Sequence, residues 1–242
     1  MSKLFRLDRV LDPTEVSRPL VLGEVLSLDP HRFGRVLRLA VGDRLTLVDL
    51  TGAAFEVVAL SNDPPQVEVV ATASLPSANP ARPLEVWVPL LKGGKAEDLV
   101  RPLVELGATL IVPFSCKRSV VRLDDKRAAE RQRRMQAIAD EACQQCGRTD
   151  RPTVAPYAEH LPKSGPGVFL WEEGGGPPTH ATLAAADRLL SGPEGGLDPS
   201  EVEQLVGLGW QPLWLGHRIL RAETAVLTLT TLAQSARGEL GG

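Results

Sequence analysis

Two segments near the C-terminal end of the chain constrain its fold more than any others. Ser191-Gly192-Pro193-Glu194-Gly195-Gly196 follows the apolar pair Leu189-Leu190, and Leu215-Gly216-His217-Arg218-Ile219-Leu220-Arg221-Ala222-Glu223-Thr224-Ala225 continues the run Pro212-Leu213-Trp214. Each passes from a short strand-like stretch straight into a helical pattern. Such turns belong to open α/β sheets, where ligands bind beyond the carboxyl ends of strands, so two of them this close in sequence can build one pocket.

The same rhythm begins at residue 84. Leu84 to Leu91 reads as a strand, Ala96 to Leu106 as a helix stopped by Gly107, and Thr109 to Val112 as a buried strand. An arginine-rich helix follows from Lys126 to Cys146, then a strand over Gly167 to Trp171 and a glycine cluster at Gly174-Gly175-Gly176. A last helix, Ala222 to Ala236, carries Val226, Leu229 and Leu232 near helical spacing, which predicts a face packed on the sheet.

Residues 1–72 differ in kind. Leu45 to Val48, Phe55 to Leu60 and Val67 to Val70 are short strands around turns at Asp49-Leu50-Thr51-Gly52 and Asn62-Asp63-Pro64-Pro65, predicting a meander or small barrel. One helix interrupts them. Asp29 is its N-cap and Pro30 its first residue, and helical spacing puts His31, Arg35 and Arg38 on one face, a stripe that a solvated surface also explains. Ser74 to Pro83 has three prolines and little to bury. The expected organisation is a β-rich domain over 1–72, a linker over 73–83 and an α/β domain over 84–242.

A length of 242 residues allows two such cores, and a net charge of -3 announces no chain-wide affinity for nucleic acid. The charge is uneven, however: residues 113–151 hold 10 Lys/Arg against 6 Asp/Glu, while 152–242 hold 5 against 10. No apolar run approaches the roughly 20 residues of a membrane span, and no cleavable leader pattern is present, so a cytoplasmic protein is expected. Cys143 and Cys146 form a CxxC inside a helical run, without a second pair of ligands, and read as structural thiols; His31, His160, His180 and His217 are scattered. No metal site is expected. Pro89-Leu90-Leu91-Lys92-Gly93-Gly94-Lys95-Ala96 fails as a phosphate loop, because a proline replaces the first glycine and an alanine the hydroxyl residue. A dinucleotide fingerprint is missing too. The Gly192–Gly196 loop permits unusual dihedrals and close approach of a ligand, and Asp198-Pro199-Ser200-Glu201 then opens a well-capped helix.

Taken in order, Gly192-Pro193-Glu194-Gly195-Gly196 and Leu215-Gly216-x-Arg218-Ile219-Leu220-Arg221-x-Glu223-Thr224-Ala225 resemble the RsmE-type family, which methylates N3 of a uridine in small-subunit (16S) ribosomal RNA. The resemblance extends to His31-x-x-x-Arg35-Val36-Leu37-Arg38-Leu39 with Gly42-Asp43, to Glu105-Leu106-Gly107, to Arg118-Ser119-Val120 and to Glu141-Ala142-x-x-Gln145-Cys146-Gly147-Arg148. It implies a SPOUT α/β domain with a trefoil knot behind a PUA-like β-barrel, and a homodimer. It also implies S-adenosylmethionine held by Leu170, Glu172, Gly192, Pro193, Glu194, Gly195, Leu215, Gly216, Ile219, Leu220, Arg221 and Ala225. Within that frame the backbone of Leu215 and Leu220 would hold the adenine. One position departs from the family pattern: Pro102 stands where a lysine is usual. Arg101 beside it would substitute if that lysine contacts RNA, and a proline in the first helical turn would shorten the helix.

Methyl transfer to uracil N3 needs a nucleophilic ring nitrogen whose anion spreads charge onto two carbonyl oxygens, so cationic donors aimed at those oxygens would help. Arg118, Arg148 and Arg221 are the candidates inside matched motifs, each equally suited to a phosphate contact or an ion pair. Glu194 and Glu223 could accept the N3 proton, yet each sits by a helix N-terminal turn, where a carboxylate is favoured anyway. His31, Arg35, Arg38, Lys117, Arg118 and Arg122, with Arg131, Arg133 and Arg134, are the candidate RNA-binding cations. The expected partner is 16S ribosomal RNA, within the small subunit. Two other readings remain open at this point, a non-catalytic RNA-binding or assembly protein with the same fold and a ribose 2'-O-methyltransferase.

Overall fold

The computed structural model describes residues 3–6, 19–49, 51–74 and 78–241. Leu50 of the expected turn and residues 75–77 of the expected linker lie outside them. The described residues form two compact units, one of residues 1–79 with 143–150 and one of 80–142 with 151–242.

In the first unit, β1 (Lys3–Arg6), β2 (Val25–Ser27), β3 (Arg44–Val48), β4 (Ala54–Asn62) and β5 (Pro65–Ala73) make a five-stranded sheet in the order β1-β3-β4-β5-β2. β1 runs parallel to β3, and the other pairs are antiparallel. Phe55, Val57 and Ala59 alternate along β4 onto one face, where Val67 and Val69 meet them, so period-two patterning gives the core. Phe33 completes it, fully buried and edge-on to Phe5 with ring centroids 5.1 Å apart.

Phe33 sits on the helix foreseen after Asp29, and the cap is as expected: the Asp29 carboxylate accepts from the N–H groups of His31 (2.8 Å) and Arg32 (3.4 Å). The helix itself is different. Pro30–Val36 is a π-helix, with Leu37 N–H donating five residues back to the Arg32 carbonyl at 2.9 Å. A wider turn breaks the i, i+4, i+7 register, and Arg38 lies beyond the last turn with φ 50°. The expected common face of His31, Arg35 and Arg38 is therefore not formed.

A second difference concerns residues 143–150, which the sequence reading places in the second domain. They fold with the first unit because Asn79 holds them: its carbonyl accepts from the N–H groups of Thr149 (2.8 Å) and Asp150 (3.1 Å), and its amide donates to the Thr149 hydroxyl. Cys143 Sγ donates to the Asp150 carbonyl at 3.0 Å and Cys146 Sγ to the Cys143 carbonyl at 3.5 Å, which gives both thiols structural contacts.

The second unit is a six-stranded, wholly parallel sheet. Its strands are β6 (Glu85–Pro89), β7 (Leu110–Phe114), β8 (Thr153–Val154), β9 (Gly167–Leu170), β10 (Arg188–Leu190) and β11 (Trp210–Leu213), ordered β11-β9-β10-β6-β7-β8. Helices α1 (Lys95–Glu105), α2 (Asp125–Gln145), α3 (His180–Ala185) and α4 (Pro199–Gly207) make crossovers, and α5 (Ala222–Ala236) follows β11. Asp198 and Glu201 form the complete capping box of α4, and Glu201 also accepts from the Lys117 N–H at 2.7 Å, which ties the loop after β7 to α4. Pro102 lies inside α1, past its first turn, so the helix is not shortened; the proline only removes the N–H that would reach the Asp98 carbonyl, on an exposed side.

α5 packs on α1, α3, β6 and β10 through Val226, Leu229 and Ala233, all fully buried. Leu232, expected in that face, is 37% exposed; its place is taken by Thr230 and Gln234. Gln234 donates to the Leu106 carbonyl at 2.8 Å, against the left-handed Gly107 (φ 91°), where a Cβ would collide with the Gln234 amide. The Glu105-Leu106-Gly107 motif is thus a helix stop fitted to α5. Leu229→Ala should lower stability by about 2–5 kcal/mol, the cost of a cavity at a fully buried leucine, measured by urea unfolding.

Candidate active site

β9 lies between β10 and β11, and after β9 the chain steps to β10 on one side and then crosses back from β10 to β11 on the other, so the carboxyl ends of these three parallel strands frame an opening. A cleft of about 410 Å³ occupies that place. It draws on the loops after β9, β10 and β11, with Lys95 and Arg118 reaching it from the carboxyl ends of β6 and β7. The size suits a drug-sized or cofactor-sized ligand.

Each wall has a local cause. After β9, the chain hugs β11: Trp171 N–H donates to the Leu213 carbonyl (2.9 Å), Gly176 N–H to Pro212 (3.2 Å) and Trp214 N–H to Gly176 (2.8 Å). Gly175 makes this possible, since a Cβ there would stand 2.5 Å from the Leu213 carbonyl carbon. After β10, a turn closed by Gly196 N–H on the Pro193 carbonyl (2.9 Å) presents Gly192 to the cleft. After β11, Leu215, Gly216, Ile219 and Leu220 line the third side. No hydrogen bond among the described residues engages the backbone N–H of Leu215 or Leu220, so both are free for a ligand. Apolar walls, a close glycine and two free amides are what a flat heteroaromatic ring requires.

Eleven of the twelve residues expected at the cofactor line this cleft. Gly195 is the exception; its carbonyl accepts from Arg118 at 3.2 Å, and a Cβ would touch the Arg118 side chain at 3.2 Å. Of the four expected catalytic residues, Arg118, Arg221 and Glu223 line the cleft. Arg148 does not. It belongs to the first unit, 2% exposed, with its guanidinium on Asp150 through two bonds of 2.9 and 2.6 Å. Of the RNA-binding candidates, His31, Arg35 and Arg38 belong to the first unit; in the second, Lys117 is engaged by Ser200 at 2.5 Å and Arg122 by the Cys116 carbonyl at 3.4 Å. Arg131 is not a surface cation, since it is largely buried on Glu97 at 2.5 Å.

The charges of the cleft include one that sequence reasoning passed over. Lys95 pairs with Glu223 at 2.8 Å, and together with Arg221 it holds the Glu223 carboxyl below its usual range; the Lys95 hydrogen bond is the largest cause. A depressed value means the pair is intact at neutral pH and is lost only as pH falls through that lowered value. The signal was available. Lys95 lies within the very stretch rejected as a phosphate loop, and two left-handed glycines, Gly93 (φ 69°) and Gly94 (φ 82°), set it at the start of α1. Arg221 similarly stands at the N-cap of α5 without a side-chain capping bond. Cations at helix N-termini are electrostatically misplaced for the helix itself, so both positions answer to the cleft.

Comparison with known proteins gives the family. Residues 78–234 match the family model of the RNA methyltransferase domain, which defines the class of protein. The ribosomal RNA small subunit methyltransferase E of Bacillus subtilis is 32% identical over 81% of this chain and 83% of its own, and that of Synechocystis 31% over 81% and 67%. A crystal structure of the Neisseria gonorrhoeae ribosomal RNA small subunit methyltransferase E bound to S-adenosyl methionine superposes with a TM-score of 0.81 at 27% identity, covering 97% of this chain and 98% of the other. This chain belongs to the ribosomal RNA small subunit methyltransferase E family.

Proposed function

We propose that this chain methylates N3 of one uridine in 16S ribosomal RNA, using S-adenosylmethionine, as a cytoplasmic homodimer. The observation that carries the reading is the single cleft at the ends of β9, β10 and β11, where the motif residues of three separate loops converge. S-adenosylmethionine, when bound, supplies an electrophilic methyl group on a sulfonium. The chain's own residues do the rest. Leu215 and Leu220 offer amides to the adenine, Gly192 allows close approach, and the side chains of Leu215 and Leu220 supply apolar wall. Arg221 and Arg118, both lining the cleft, are the arginines assigned in this reading to stabilising charge on the uracil oxygens, and a pocket that aligns the two reactants would lower the entropic cost of in-line attack. Glu223 is a poor proton acceptor in this setting, because a carboxyl with a lowered pKa has little driving force to take the N3 proton.

The finer architecture belongs to the same reading. A trefoil knot is supported by the path of the chain after β11, which leaves the sheet edge and returns as α5 against central strands β6 and β10. A dimer interface at the cleft mouth is supported by Ile219, 89% exposed, an unusual state for a large apolar side chain. The PUA-like barrel is supported by the five-stranded sheet of the first unit.

Two measurements test the function. Calorimetry should show S-adenosylmethionine binding; no heat at millimolar cofactor would favour a non-catalytic protein. Reverse transcription through 16S ribosomal RNA should stop at the modified uridine and read through in a strain lacking this protein, since an N3 methyl blocks pairing. A stop that persists would reject the assignment, and a ribose methyl without an N3 block would turn it to 2'-O-methylation. Arg35→Ala with Arg38→Ala should weaken RNA binding and reduce the salt slope by about one to two, with unchanged cofactor affinity. An RNA affinity equal to the parent's across a salt series would remove both residues from the RNA surface.

A further inference from the structure

Lys95 and Glu223 stand in an unusual relation. Glu223 carries the expectation of a proton acceptor, yet its Oε1 is bound by Lys95 and its Oε2 is buried without a partner among the described residues, closed to a ligand. The lysine is the more open of the two, its side chain 43% exposed against 24%. An ammonium has three N–H donors, and among the described residues Glu223 takes one. The remaining donors belong to a group that lines the cleft. Local helix physics gives no reason for the lysine. It is the first residue of α1, where a positive charge is disfavoured, whereas Glu223 in the first turn of α5 is favoured.

We infer that Lys95 is the cation that contacts a carbonyl oxygen of the target uracil and stabilises its N3 anion, and that Glu223 is a positioning residue that holds the ammonium in place. The inference rests on the proposed function and reverses the role expected of Glu223: the carboxylate aims a donor. Removing the N3 proton leaves negative charge shared between N3 and the two neighbouring oxygens. A point charge fixed at one of those oxygens lowers the cost of forming the anion. The nitrogen lone pair then forms the N–CH3 bond while the carbon–sulfur pair leaves with sulfur, and the N3 proton passes to solvent. Arg118, Glu172, Glu173, Glu194, Arg218 and Arg221 are the other charged groups lining the cleft, and none of them forms an ion pair with Lys95.

The experiment compares the full-length protein with Lys95→Met, Lys95→Arg and Glu223→Gln on RNA carrying uridine or 5-fluorouridine at the target, with cofactor affinity measured separately by calorimetry. Lys95→Met should lower the single-turnover rate by about a hundredfold, as loss of one charge-stabilising donor does, with cofactor Kd unchanged. Glu223→Gln should lower it less. The double variant should be no slower than Lys95→Met, because the two act as one unit. The loss should shrink on 5-fluorouridine, whose more acidic N3–H needs less help. A defect of equal size on both bases would overturn the inference. So would a Kd for S-adenosylmethionine weakened by the full factor, which would give the ammonium to the cofactor's carboxylate. If Lys95→Met does not fold, Lys95→Arg decides through the same base comparison. Failure of the parent to methylate N3 at all would instead reject the proposed function.

Discussion

Gly175→Ala should weaken S-adenosylmethionine binding by at least about tenfold and cost about 1–3 kcal/mol of stability. The added methyl would stand 2.5 Å from the Leu213 carbonyl carbon and 2.7 Å from the carbonyl oxygens of Leu213 and Trp171. All three are backbone atoms, and they are held by the bonds that lock the post-β9 loop to β11: Trp171 on Leu213, Gly176 on Pro212 and Trp214 on Gly176. Relief must come from moving one of two cleft walls. Calorimetry on the variant checks the first number and urea unfolding the second. An alanine variant that binds cofactor like the parent would mean the two walls part without cost, contrary to the packing described.

Arg148→Met should destabilise the protein by about 1–3 kcal/mol, the cost of removing a buried guanidinium from a carboxylate that keeps part of its exposure to water. Arg148 is 2% exposed, and its loss leaves the Asp150 carboxylate without the guanidinium that both its oxygens accept from, beside the Cys143 thiol that donates to Asp150 and Arg148 carbonyls. Asp150→Asn should cost less, since an amide can still accept from the guanidinium. Thermal and urea unfolding provide the test. The contrast with catalysis is sharp: at a temperature where the variant is folded, its single-turnover rate should stay near the parent's. A folded, stable Arg148→Met protein with a rate lowered a hundredfold would restore the arginine to the reaction.

What could be read from the sequence was whatever depends on neighbours along the chain. Asp198 and Glu201 announce α4 because a capping box is a four-residue affair, and Ala222 to Ala236 matches α5 because its apolar spacing is local. The glycine turns announce the cleft for the same reason. What could not be read depends on partners far away. Pro30–Val36 becomes a π-helix to seat Phe33 in the sheet core, which no local periodicity encodes. Leu232 gives way to Gln234 because α5 must meet the end of α1 at Gly107. Helix α3 escaped notice behind Gly174–Gly176 and Pro177-Pro178, although Thr179 caps it through the Thr182 N–H at 3.1 Å. Lys95 was hidden by a rejected motif: failing as a phosphate loop said nothing about where its last lysine would stand.

The small segment 143–150 has a consequence for how such a protein can be taken apart or inherited. A gene cut after Asn79 would encode five strands whose Asn79 side chain has lost Thr149 and Asp150 and which contain no Arg148. The complementary piece would carry eight residues belonging to the other unit. The chain crosses between the two units three times, so the β-rich part is not a bead that recombination can transplant by itself. The two parts must travel, and change, as one lineage.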